Sequence, residues 1–188
     1  MGRVSYDDSV MSTLARARVT EAEFLALPES NQHIELIDGD VIVAPTPTYR
    51  HQEVLTRIVT ALRNWAETQK APVTVAQSPL DVRFAPGRIL QPDAMVFLEV
   101  LPHDIAMPID RIPAICIEVL WSDRTYDRVT KRYLYAEAGV QEYWIVDPAG
   151  IIERRRGPAL GEHELCEREL TSTLLAGFAL DLQRLFAR

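Results

Sequence analysis

The sequence predicts an α/β fold: a mixed, twisted β-sheet flanked by helices and entered through an N-terminal β-hairpin. Three observations carry that reading. In "IELIDGDVIVA" (34–44) an Asp-Gly pair separates two runs of strand-forming residues, the pattern of a tight turn that needs positive φ. Between His51 and Gln69 the apolar residues Val54, Leu55, Ile58, Val59, Leu62 and Trp65 recur every three or four positions, which gives a helix one buried stripe. From Ile115 to Asp147 an apolar strand, a helical segment and a second strand follow one another, a β-α-β unit whose strands lie parallel. The hairpin must be antiparallel, so the sheet is mixed.

Element by element, residues 1–19 contain Asp7, Asp8, Arg16 and Arg18 without a long apolar stretch. They read as an arm rather than a signal peptide or membrane span, and residues 20–188 as one domain. "TEAE", Thr20 to Glu23, precedes Phe24 and Leu25 as a capping box, so a short helix begins there and Pro28 stops it. After the long helix, "VTVA" (73–76), "LDVRF" (80–84), "DAMVFL" (93–98) and "AICIEVL" (114–120) are strand candidates. The last two are too continuously apolar to have a wet face and belong at the centre of the sheet. Pro86-Gly87 and the stretch from Leu101 to Pro113 read as loops. Ser122 or Thr125 caps a helix through "YDRVTKRYLYAEA" (126–138), and Gly139 ends it. "EYWIVD" (142–147), closed by Pro148, is the returning strand.

Composition narrows the function. At 47% hydrophobic and 25% charged, 188 residues make one compact domain with a real core. Two cysteines, Cys116 and Cys166, do not make a disulfide framework, and with no targeting or spanning segment the chain reads as cytoplasmic. A net charge of −7 argues against an extended nucleic-acid-coating surface while leaving room for a local basic cleft. Lys and Arg bunch in "DRTYDRVTKR" (123–132) and "ERRR" (153–156). Taken alone, each reads as a solvated face.

Glu118 stands out, an ionisable residue inside the apolar run 114–121. Burying it unpaired costs on the order of 2–7 kcal/mol. Asp93 stands at the mouth of the neighbouring buried strand, and adjacent strands lie about 4.8 Å apart, so the two carboxylates can share one metal ion. Mg²⁺, with Mn²⁺ as substitute, suits such a site, because it takes one or two carboxylates, keeps several waters and draws its other ligands from phosphate oxygens. The ion would offset the hydration that the carboxylates lose.

"PD" (Pro92-Asp93), "EVL" (118–120) and "YDRVTKRYLYAEAGVQEYWIVDP" (126–148), preceded by "IELIDGD" and His51, closely resemble the Uma-two family. That family, formerly a domain of unknown function, is classed with the PD-(D/E)XK nucleases. The resemblance implies a restriction-endonuclease-like core and metal-dependent hydrolysis of DNA. It makes Asp93 and Glu118 metal ligands, joined by the backbone carbonyl of Val119. The motif's lysine should stand at Leu120; Lys131, on the following helix, is its migrated replacement. Glu35 matches the accessory acidic residue of the superfamily. Trp121 stands where the family commonly reads Ser-Pro, with one residue fewer.

Each residue also has a plainer reading. Lys131 lies four positions after Asp127, the spacing of an exposed helical ion pair. Asp93 could cap a loop, and Glu35 could be the solvent-side residue of a strand whose Ile34 and Leu36 face inward. His51 has a supporting role at most, Tyr143 and Trp144 belong to the core or an interface, and Arg124, Arg128 or Lys131 could simply pair with Glu118. Two other functions stay open. One is a catalytically silent interaction or dimerisation module, for which Lys131 would point to solvent. The other is a carboxylate-pair glycosidase without metal. The sequence leaves the oligomeric state open, a homodimer included.

Overall fold

In a computed structural model, residues 18–28, 32–121 and 125–187 of the chain are described. The arm before Arg18, Ser122 as a helix cap and Arg124 as a cation lie outside them. The hairpin forms where the Asp-Gly pair places it. Strands β1 (Ile34–Ile37) and β2 (Asp40–Val43) pair antiparallel, and Asp38 and Gly39 take φ values of 51° and 93°, the two positive angles of a type I′ turn. A four-stranded sheet follows, ordered β2-β1-β5-β4, with β4 (Val82–Ala85) and β5 (Arg88–Leu90) turning at Gly87. β5 has only three residues, too few for a periodicity to reveal, and the Pro86-Gly87 loop is the bend of this second hairpin.

Helix α1 (Glu21–Leu25) starts from the capping box: the Thr20 hydroxyl accepts the Glu23 N–H while the Glu23 carboxylate accepts the Thr20 N–H. Helix α2 (Tyr49–Gln69) is capped by Thr48 and buries the predicted stripe, with Trp65 partly buried against the same core.

The central sheet contains β3 (Thr74–Gln77), β6 (Ala94–Phe97), β7 (Ile115–Val119), β8 (Glu142–Asp147), β9 (Ile151–Arg156) and β10 (Glu162–Cys166). Its order is β10-β9-β8-β7-β6-β3. β7 and β8 are parallel and the other pairs antiparallel, the mixed sheet that the pattern predicts. Side chains alternate across it. Ala94, Val96, Ile115, Ile117 and Val119 pack with the α2 stripe on one face, and Met95, Phe97, Cys116 and Leu120 pack with Leu134 and Tyr135 of the crossover segment on the other. A small hairpin, β11 (Glu169–Thr171) with β12 (Ala179–Asp181), and α4 (Leu182–Phe186) complete the α2 face. No described helix is long and apolar enough to cross a membrane.

Two local expectations need correction. "ERRR" is not a solvated face: it lies in β9 between two paired strands, and Glu153 and Arg154 are buried. The crossover segment is not uniformly α-helical either. It winds as a π-helix over Tyr126–Lys131 before becoming α3 (Arg132–Ala138), which ends at Gly139 with φ 91°.

Candidate active site

The β6–β7 register pairs Ala94 with Ile117, which sets Asp93 level with Glu118. Asp93 ends the strand, so its carboxylate takes over part of the ladder: Oδ2 accepts the Val119 N–H at 2.8 Å. The same oxygen lies 3.1 Å from His51 Nε2 in the first turn of α2. His51 is 4% exposed, and its Nδ1 is buried without a partner. A carboxylate oxygen only accepts, so the tautomer with hydrogen on Nε2 fits this contact.

Glu118 is 3% exposed and faces the crossover segment. Its Oε1 receives the Lys131 ammonium at 2.8 Å and the Tyr135 hydroxyl at 2.5 Å. Lys131 also lies 3.1 Å from Glu35 Oε1 and 4.0 Å from Asp127. Glu35 in turn accepts the Gln91 N–H at 3.0 Å and the Tyr126 hydroxyl at 2.9 Å, with His33 Nε2 at 3.2 Å. The π-helical turn makes this geometry. On an α-helix of 3.6 residues per turn, residues five apart diverge by roughly 140°, whereas i→i+5 winding stacks them. Tyr126 and Lys131, five apart, thus both reach Glu35. The α-helix that follows places Tyr135 one turn beyond Lys131, on Glu118.

Burial pushes the Glu118 carboxyl well above the ordinary carboxylate range, against the pull of Lys131, and the nearby Asp93 charge pushes the same way. Burial acts likewise on Glu35, but Lys131, His33 and the Gln91 N–H outweigh it and hold the carboxyl down at about 2. Lys131 loses hydration, yet Glu118, Glu35 and Asp127 together keep it charged, with its pKa raised. The ammonium thus lies between Glu118 and Glu35, two buried carboxylates that share one positive charge.

The donor set fits a small divalent cation. Among the described residues, Asp93 Oδ1 and Glu118 Oε2 carry no hydrogen bond. No three His, Cys, Asp or Glu side chains among them form a ready-made cage. Two carboxylates with open oxygens and no full cage suit Mg²⁺, which leaves its other positions to water and phosphate.

Of the four candidates, Glu118, Lys131 and Glu35 meet in one ionic cluster, while Asp93 stands level with Glu118 on the neighbouring strand, its carboxylate held by His51 and the Val119 N–H. Two plainer readings fail: Lys131 and Glu35 are 3% and 2% exposed, not surface groups. Val119 joins through its N–H. Tyr143 and Trp144 are buried in the two cores. Sequence reasoning missed Tyr126, Tyr135, Gln91 and His33. The four-residue step from Lys131 to Tyr135 was the one signal available for any of them.

A twisted mixed sheet with buried acids and a lysine at one end of its central strands is a nuclease-like fold, and the comparisons with known proteins agree. The chain belongs to the Uma2 family, described as putative restriction endonucleases, which matches residues 21–182. It is also similar to a crystal structure from Anabaena variabilis described as a putative nuclease belonging to DUF820, with a TM-score of 0.73 and 25% identity. That match covers 90% of this chain and 98% of the other. A search of curated proteins finds no match.

Proposed function

We propose that the protein is a metal-dependent endonuclease that hydrolyses DNA phosphodiester bonds. The observation that supports this best is the buried Lys131 ammonium 2.8 Å from Glu118, on the strand next to Asp93. In this reading Asp93 and Glu118, with the Val119 carbonyl, hold Mg²⁺ or Mn²⁺. The ion supplies charge neutralisation at the scissile phosphate and lowers the pKa of a bound water.

The chain's own groups do the rest. His51 and the Val119 N–H hold the Asp93 carboxylate in one orientation. Glu35 and Asp127 keep Lys131 charged, while the Tyr126 hydroxyl fixes Glu35. Lys131 then offers a preorganised ammonium to the charge that develops on the phosphate oxygens, or orients the attacking water. Attack in line leaves a 5′-phosphate. A solvent-facing Lys131 would favour the silent-module alternative, and its burial speaks for the active reading. A cytoplasmic setting and DNA as substrate belong to the same proposal.

The test is incubation of the protein with supercoiled and single-stranded DNA in Mg²⁺ or Mn²⁺ against EDTA, beside Asp93→Asn. Metal-dependent cleavage lost in the variant supports the reading. No cleavage under any metal leaves the silent module.

A further inference from the structure

Beside the candidate active site lies a cavity of about 580 Å³, lined by Tyr49, Arg50, Glu53, Pro148, Ala149 and Phe186. Its size falls within the range of about 300–1,000 Å³ typical of ligand sites. Two connections fix its place. Tyr49 and Arg50 directly precede His51, whose ring meets Asp93. On the other side, Val119 pairs with Val146, and Leu120 continues that register by donating to the Val146 carbonyl at 2.8 Å. Pro148 therefore stands level with Trp121, one strand away from the end of β7, a spacing of about 4.8 Å. Its lining residues Tyr49, Arg50 and Pro148 thus stand toward the same end of the sheet as Asp93 and Glu118.

Its charges are committed to one another. Arg50 donates to Glu53 at 2.9 Å and to the Phe186 carbonyl at 2.7 Å, and Glu53 also accepts from Arg57 at 2.7 Å. The cation that a phosphate would meet among the lining residues, Arg50, is already ion-paired. What the cavity offers is flat and apolar: the Tyr49 ring, 83% exposed, with Phe186 and Pro148. An aromatic face stacks on any base without reading its sequence. A base paired inside a duplex cannot reach it, whereas an unpaired or extruded one can.

We propose that this cavity binds one unpaired base of a single-stranded nucleic acid, the nucleotide next to the phosphate presented to Asp93 and Glu118. The proposal rests on the nuclease reading and adds the form of the substrate to it. The paired state of Arg50 and Glu53 favours the base over the phosphate, and the exposed ring favours a single strand over a duplex.

Fluorescence anisotropy tests it, with a labelled oligothymidylate and the matching duplex, both in EDTA so that nothing is cut. The single strand should bind more tightly than the duplex. Tyr49→Ala should weaken single-strand binding by roughly 5- to 150-fold, the range for losing one stacked base, with Tyr49→Phe close to native. Tyr49 is exposed, so the variants fold. Native affinity in Tyr49→Ala, or a duplex bound as tightly as the single strand, overturns the proposal. The Mn²⁺ thermal shift of the native protein separates the two readings. A shift without Tyr49 dependence leaves the metal site and removes the base subsite; Tyr49-dependent binding without shift or cleavage does the reverse.

Discussion

Three residues carry tests of the site. Lys131→Met removes an ammonium that touches two buried carboxylates. It should lower stability by about 3–5 kcal/mol in denaturant titrations, because breaking a buried pair leaves its partners uncompensated. It should also slow cleavage by roughly 10²–10³-fold, and Lys131→Arg should not restore the rate, since a planar fork does not replace a compact ammonium. Glu118→Gln tests the metal. Mn²⁺ at a hundred times its Kd should stabilise the native protein by about 2.7 kcal/mol, and the variant should lose that response. It should nevertheless fold normally at neutral pH. A raised folded-state pKa means that the stability contributed by Glu118 falls as pH rises. An unchanged thermal shift would remove Glu118 from the ligand set. Glu35 has the opposite sign: its folded pKa of about 2 lies below the usual 4.5. Its contribution is complete above pH 4.5 and is lost as pH falls toward 2. Thermal melts across that window should show a loss in the native protein that Glu35→Gln flattens.

At the scale of elements, the crossover segment joins two devices, a π-helical turn that aims Tyr126 and Lys131 together and a glycine stop that sends the chain back into β8. The stop gives a clean prediction. A Cβ at Gly139 would meet nothing within 4 Å, so Gly139→Ala carries only the cost of left-handed backbone at φ 91°, about 1–2 kcal/mol. A denaturant midpoint equal to native would contradict that account. Elements with a strong local signal were legible in the sequence: the Asp-Gly hairpin, the Thr20 capping box, the α2 stripe and the apolar runs of β6 and β7. β5 and β9 were not. One is too short to show a period, and the arginines of the other look like a surface until β8 and β10 close on both sides.

At the scale of the whole molecule, charge sets the expectation for DNA. The net charge is −7, and many described arginines are already paired, such as Arg83 with Glu21 and Asp110 and Arg88 with Asp38 and Glu137. Few are left to displace counterions. The dependence of log Kd on log salt should therefore be shallow, with a slope corresponding to about one to three phosphates, rather than the six to ten of extended duplex binders. A steep slope would show a basic surface formed in some other way.

The sequence by itself determined the mixed sheet, the parallel β7–β8 unit and the placing of Asp93 and Glu118 on adjacent central strands, because periodicity, turn chemistry and burial of apolar runs act over a few residues. Only the tertiary structure decided where Lys131 and Glu35 point. Lys131 has the helical spacing of a surface pair with Asp127, and Glu35 occupies an alternate strand position. Neither pattern reveals that Tyr126 and Lys131, brought onto one face by a π-helical turn, close over β1. Contacts between residues 13 to 96 positions apart are set by packing, and packing turns two ordinary surface patterns into one buried ionic centre.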